Sequence, residues 1–308
     1  MCSRDIIMAK ERKALMTLMD EGDYRVPKRQ VDENLLLATW NIQNLSNRKT
    51  MRTLQYIADI CERFDIIALQ EIKSDLRGLA KLQKLLPGNY NILVSDTTGN
   101  YERFAFLYDK RTVISTGFVS EIGFPVPGET HQGYQLHRMP YCASFRAGRF
   151  DFVIVNVHIY YGSSSVWKAQ REKEIRELVE HIYWLSKKEQ SRVFDRDFFV
   201  VGDFNIEQAG DRFFNTLVSK GFQMPAALDT LHTNFLGDKT YDKIAWVDRP
   251  SFYFSGRCNV IPFGHVVYQD GDSLTAKKKI SDHLPLWAEF RINELTQELD
   301  QIISNPQG

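Results

Sequence analysis

The apolar run Leu35-Leu36-Leu37-Ala38-Thr39-Trp40 stops abruptly at Asn41. An uninterrupted run of this length predicts a strand buried on both faces. The pattern returns at Ile66 to Gln70 before Glu71, at Phe152 to Val157 before His158, and at Phe198 to Gly202 before Asp203. A fifth polar group, Ile280-Ser281-Asp282-His283-Leu284-Pro285, leads into a predicted strand over Leu286–Phe290. In each case a strand delivers, at its end, a side chain able to ligate a metal, bind phosphate or carry a proton. Five such endings from distant parts of one chain predict one assembled site.

Between these runs the period changes to that of a helix. Leu54, Ile57, Ala58, Cys61 and Phe64 form one apolar stripe. A second helix is expected from Leu76 to Leu86, stopping before Pro87-Gly88, a long one over Val166–Lys188, and another around Phe213, Phe214, Leu217 and Val218. Further strands are expected at Tyr90–Val94, Phe104–Tyr108, Val113–Val119, Tyr141–Phe145, Ile244–Val247, Ser251–Phe254 and Val266–Tyr268. Residues 1–33 read as a charged helical extension, 34–293 as one domain, and 294–308 as a helical tail. The mixture predicts an α/β fold with a two-layered sheet core covered by helices.

Composition narrows the class. With 308 residues, 43% of them hydrophobic, the chain can bury a full core. Its 39 basic and 39 acidic residues balance to +0, so no global field draws it to nucleic acid. A bound metal ion could supply that charge locally. The four cysteines are scattered, without a CxxC pair, which argues against a disulfide framework or zinc site. No secretion signal or membrane span is legible, so a cytoplasmic enzyme is expected. The pattern does not indicate an oligomeric state.

Glu71 is placed at a sheet rim, where an oxygen ligand suits Mg²⁺ or Mn²⁺; the bland alternative is a surface glutamate. In Gly202-Asp203-Phe204-Asn205, the glycine permits a tight turn and the two polar side chains point the same way, although an Asx-turn would look similar. His158 and His283, with the carboxylates available, can form two imidazole–carboxylate pairs. Such pairs suit a reaction that removes one proton from a nucleophile and delivers another to a leaving group. Arg138 could hold phosphate through a bidentate contact, and Lys277-Lys278-Lys279 could touch a phosphate backbone or simply be solvated.

These motifs, taken with Glu102-Arg103-Phe104, Arg138-Met139-Pro140 and Tyr241-Asp242-Lys243-Ile244, resemble the endonuclease/exonuclease/phosphatase superfamily from about Leu35 to Phe290, and within it the DNase I-like branch. The resemblance implies a four-layer sandwich, two mixed β-sheets packed face to face and flanked by helices, with Mg²⁺- or Mn²⁺-dependent phosphodiester hydrolysis at one rim. It implies Glu71 as principal metal ligand with Asn41 and Asp282 nearby. It also implies His158 paired with Glu102, His283 with Asp242, Asp203 and Asn205 orienting water and phosphate, and Arg138 and Asn41 contacting substrate. The chain lacks clear equivalents of the DNase I loops that enter the minor groove; Gln43 and Lys73 occupy those neighbourhoods.

The expected function is therefore DNA endonuclease. The alternatives are hydrolysis of a phosphoinositide, a sphingomyelin-type lipid or a small nucleotide. A lipid substrate would call for an apolar loop such as Phe124-Pro125-Val126-Pro127. A non-catalytic binding module is disfavoured because every proposed catalytic group is present.

Overall fold

The computed structural model describes residues 3–123, 135–187, 197–247 and 252–293, together with 299 and 303. The apolar loop at 124–127 and nearly all of the expected C-terminal helix lie outside the described residues.

Two six-stranded mixed sheets pack face to face, and helices cover their outer surfaces. The first sheet contains β1 (Asn34–Leu45), β2 (Ile66–Lys73), β3 (Tyr90–Val94) and β4 (Glu102–Asp109), and takes its edge from late in the chain. The second contains β5 (Ile114–Glu121), β6 (Tyr141–Ala147), β7 (Phe150–His158), β8 (Phe198–Asp203), β9 (Phe222–Gln223) and β10 (Asp242–Val247). β11 (Tyr253–Val260) and β12 (Leu286–Arg291) complete the first sheet in the order β11-β12-β1-β2-β4-β3; the second runs β5-β6-β7-β8-β10-β9. Helices α1 (Ser3–Asp20), α2 (Met51–Cys61) and α3 (Arg77–Gln83) lie with the first sheet. Helices α4 (Ser165–Lys187) and α5 (Arg212–Val218) lie with the second, and the short α6 (Ala226–Asp229) and α7 (Thr275–Lys279) fall in loops. This is the four-layer α/β sandwich.

The central strands are buried on both faces because each is covered by helix on one side and by the other sheet on the other. Aromatic rings fill the interface, Phe106 against Tyr141 and Phe145, and Phe290 against Phe199 and Trp246. One polar bridge crosses it: Gln70 Nε2 donates to Asn156 Oδ1 at 2.7 Å, and Asn156 Nδ2 donates to the Leu69 carbonyl at 3.1 Å.

Topology brings the polar strand ends together. β1 and β2 are parallel through the α2 crossover, and β7 and β8 through α4. Their carboxyl ends therefore share one rim. The antiparallel neighbours β4, β10 and β12 begin at that same rim, with Glu102 opposite Lys73 and Asp242 opposite Asp203.

Two expectations need correction. Val266–Tyr268 is not a strand. It follows a 3₁₀ turn at Phe263–His265, with the Val266 and Val267 amides bonded back to the Phe263 carbonyl. Its apolar character reflects burial of Val267 and Tyr268, the latter packing on Tyr56 of α2. The strand expected at Ser251–Phe254 instead runs over Tyr253–Val260.

Candidate active site

Local backbone is unusual where β1, β2 and β8 deliver Asn41, Glu71 and Asp203 to the site. The β1–β2 ladder shifts register between Asn41 and Leu45, and the β2–β4 ladder between Leu69 and Ile72. Gln43, Asn44 and Glu71 adopt positive φ, 46°, 55° and 61°. Such bulges re-aim side chains at a rim. Gly202 has φ 138°, and a Cβ there would stand 2.0 Å from the Val157 carbonyl oxygen. Only glycine lets β8 approach β7 this closely while turning Asp203 inward. Asn205, with φ 53°, then donates its backbone N–H to Asp203 Oδ1 at 2.9 Å.

Asp203 Oδ2 is the hub. Asn41 Nδ2 donates to it at 3.1 Å, His158 Nε2 lies at 3.4 Å and His283 Nε2 at 3.7 Å. Asn41 Nδ2 also donates to Glu71 Oε1 at 3.1 Å. Glu71 Oε2 accepts from the Asn44 N–H at 3.0 Å. His283 Nδ1 sits 2.7 Å from Asp242 Oδ2, and His158 Nδ1 3.6 Å from Glu102 Oε2. Arg138 is buried, donating to Glu102 Oε2 and to the His158 carbonyl, each at 3.3 Å. Asn205 Nδ2 donates to the Ile159 carbonyl at 2.8 Å, so part of its amide is committed to the fold. Asn41, Glu71, Glu102, Arg138, His158, Asp203, Asn205, Asp242 and His283 thus meet at one rim. Asp282 is half-buried beside them, close enough for its charge to act on His283 and Lys49.

The two imidazoles are driven in opposite directions. Burial, then the charges of Arg138 and His283, push His158 well below the ordinary imidazole value, so it is neutral. Burial also opposes charge on His283, but Asp242, Asp203 and the Asp242 hydrogen bond outweigh it and hold it up at about 10. Asp203 is raised, chiefly by burial, with Asp242 adding to the effect and His283 opposing it.

Among the described residues, ligand atoms of Glu71, Glu102 and His158 lie within 4.8 Å of one another, as do those of Asp203, Asp242 and His283. The first group suits a divalent cation. Burial and then the Glu71 charge raise Glu102 above its ordinary value, a repulsion that a cation would relieve. His158 Nδ1 is buried there without a hydrogen-bond partner.

Sequence reading overlooked two residues. Lys49 donates to the Ile280 carbonyl at 2.5 Å and to that of Lys279 at 3.4 Å, tying the loop after β1 to the segment carrying Asp282 and His283. It lies far away in sequence, and no local signal announces it. Arg171 is fully buried and donates to the carbonyls of Asn205, Gly162 and Tyr160 at 2.7, 3.0 and 3.3 Å. It could have been found: Arg171 falls in phase with Ile175, Leu178 and Ile182 on the apolar stripe of α4.

The model of the Endonuclease/Exonuclease/phosphatase family matches residues 38–283. A Xenopus laevis protein, endonuclease/exonuclease/phosphatase family domain-containing protein 1, is 24% identical over 286 residues. The match covers 83% of this chain and 49% of the relative, so the chain spans about half that protein's length. A mannosyl-6-phosphatase from Bacteroides thetaiotaomicron superposes with TM-score 0.56 at 18% identity, covering 83% of this chain and 99% of its own. A truncated Caenorhabditis elegans TDP2 gives TM-score 0.57 at 17% identity, covering 84% and 97%. At these identities the structural likeness speaks for the fold.

Proposed function

The chain belongs to the endonuclease/exonuclease/phosphatase family, and from that premise we propose that it is a Mg²⁺-dependent phosphodiesterase that cuts DNA. The observation that carries this reading is the pair of imidazoles facing Asp203 Oδ2, each with its other ring nitrogen turned to a carboxylate, His158 to Glu102 and His283 to Asp242. Neutral His158 accepts a proton from the attacking water, which Asp203 helps orient. Charged His283, fixed by Asp242, delivers a proton to the departing oxygen. Asn205 and Arg138 would steady the phosphate with the donors left over from their bonds to the Ile159 carbonyl and to Glu102. Glu71 and Glu102 would hold the ion, with Asn41 and Asp282 nearby; when bound it would offset phosphate charge and stabilise the leaving oxygen.

The choice of a polyanionic substrate rests on the loops around the site. Arg48 follows β1 and Lys277 and Lys279 lie in α7, while Lys73 at the end of β2 pairs with Glu102 and Arg77 at the start of α3 with Asp75. These loops touch: a Cβ on Gly78 would meet the Ser46 backbone at 2.7 Å, and Lys49 grips the Lys279 and Ile280 carbonyls. A basic rim beside one half of the site suits a phosphate backbone. No described helix is long and apolar enough to cross a membrane.

The test uses purified protein stripped with a chelator, then offered Mg²⁺ or Mn²⁺ with plasmid DNA, oligonucleotides, RNA, inositol phosphates and a sugar phosphate. DNA cleavage restored by the ion is expected, with Asp203→Ala and His283→Ala each losing roughly 10²–10⁴ in rate. Turnover confined to the small phosphates, or wild-type rates in either variant, overturns the reading.

A further inference from the structure

A row of aromatic rings leads from the catalytic centre along loops of the second sheet, whereas the basic residues lie on loops of the first. Tyr241 lies 5.5 Å from the His283 ring, and Tyr161 lies 6.4 Å from Tyr241. Tyr160 and Trp167 stand beside them, 4.9 Å apart. Tyr161 is 49% exposed and Trp167 46%. Large rings are costly to leave in water, yet this backbone holds them there.

The holding is specific. Tyr160 and Tyr161 belong to the turn that leaves β7 two residues after His158. The buried Arg171 bonds the carbonyls on either side of Tyr161 and also that of Asn205, while its guanidinium carbon lies 5.0 Å from the Tyr161 ring. Tyr161 is thereby backed by a cation while about half of its surface stays exposed. At Gly162 a Cβ would collide with Trp167 Cβ at 2.2 Å, so the glycine is what lets the first turn of α4, and Trp167 with it, close on the turn after β7. The rings are thus ordered before any ligand arrives.

We propose that Tyr161 and Trp167 form a stacking platform for unpaired nucleobases beside the scissile phosphate, so that the substrate of this site is single-stranded DNA. This rests on the phosphodiesterase reading above and narrows it. Within a duplex the faces of interior bases are stacked on one another and only their edges are accessible. A ring platform can engage only a base with a free face. The phosphates on the far side of the cut would meet Arg48, Lys277 and Lys279. Rings on one side and cations on the other match the two chemistries of a single strand, whereas an acyl chain or a lone phosphorylated sugar uses only one of them.

The test compares three oligonucleotides of equal length: a single strand, its duplex, and an abasic strand carrying the same phosphates. Each is assayed with wild type, Tyr161→Ala, Trp167→Ala and Tyr161→Phe. Wild type should cleave the single strand at least about tenfold faster than the duplex. Stacking strengthens binding by roughly 5- to 150-fold per base. Each alanine variant should therefore lose a factor in that range on the single strand, mainly through KM, and the advantage of the base-bearing over the abasic strand should shrink by the same factor. Tyr161→Phe should keep it. Equal cleavage of duplex and single strand, or wild-type KM in both alanine variants, overturns the platform. Failure of wild type to cut any of the three overturns instead the phosphodiesterase reading on which it stands.

Discussion

Replacing Asp242 by asparagine isolates the proton on His283. The side chains are nearly the same size, and the Asp242 backbone N–H keeps its bond to Thr233 Oγ1, so the fold should persist. What disappears is the largest of the influences that hold His283 protonated; burial, which works against the charge, remains. In the wild type, with His283 held at about 10, the acid form is essentially complete at pH 7.5. If the variant imidazole returns only to the ordinary value of about 6.5, roughly one molecule in ten keeps the proton at that pH, and the fraction falls tenfold for each further pH unit. The ratio of wild-type to variant kcat/KM, measured from pH 5.5 to 9 at fixed metal concentration, should therefore be smallest at the acid end. It should climb about tenfold per unit above about 6.5. The ratio remaining at the acid end reports the orientation that Asp242 gives the ring. A ratio independent of pH would show that the His283 proton is not the one delivered, and the acid and base roles would have to be reassigned.

Two further outcomes concern the scaffold. Gly202→Ala combines positive φ with a Cβ 2.0 Å from the Val157 carbonyl, and should destabilise by about 3 kcal/mol or more or prevent soluble folding; a denaturation midpoint like that of wild type would refute the packing argument. Asp109 is buried, which opposes its charge, but hydrogen bonds from Arg111 and Asn89 and the charge of Arg29 outweigh this and hold it down at about 2. A depressed carboxyl adds stability above its unfolded value of about 3.9 and loses it as pH falls toward the folded one. Asp109→Asn should therefore be less stable than wild type at pH 7 in urea unfolding, with the gap narrowing between about pH 4 and 2; a gap that stays constant would contradict it.

The strand ends were legible because burial on both faces leaves an unmistakable apolar run, and a polar residue closing such a run has few structural reasons to be there. Asn41, Glu71, His158 and Asp203 all announced themselves in this way. Lys49 did not, because its partners are carbonyls some 230 positions away, and backbone acceptors carry no sequence signature. Val266–Tyr268 misled for the complementary reason. Three apolar residues cannot display a period, so burial in a turn against α2 looks the same as burial in a sheet. The two exposed rings, Tyr161 and Trp167, were invisible as a pair because a loop and the first turn of a helix share no common repeat.

Irregular backbone also aims side chains at the rim. Glu71 and Asn205 hold positive φ, and each sits at the carboxyl end of a strand that is otherwise regular. A non-glycine residue in that region costs on the order of 1–3 kcal/mol. A fold seeking only stability would use glycine at both positions or end the strands one residue earlier. The cost recurs in both halves of the molecule, near the end of β2 and just after β8, and in both it turns a polar side chain toward the same rim. Gly202, by contrast, relieves strain where β7 and β8 must approach, which lets Asp203 come within reach of both imidazoles. At the rim, positive φ aims a side chain, while at Gly202 the missing Cβ lets two strands close; positive φ at Asp32, Leu76 and Tyr268 belongs to connecting segments that carry no site residue.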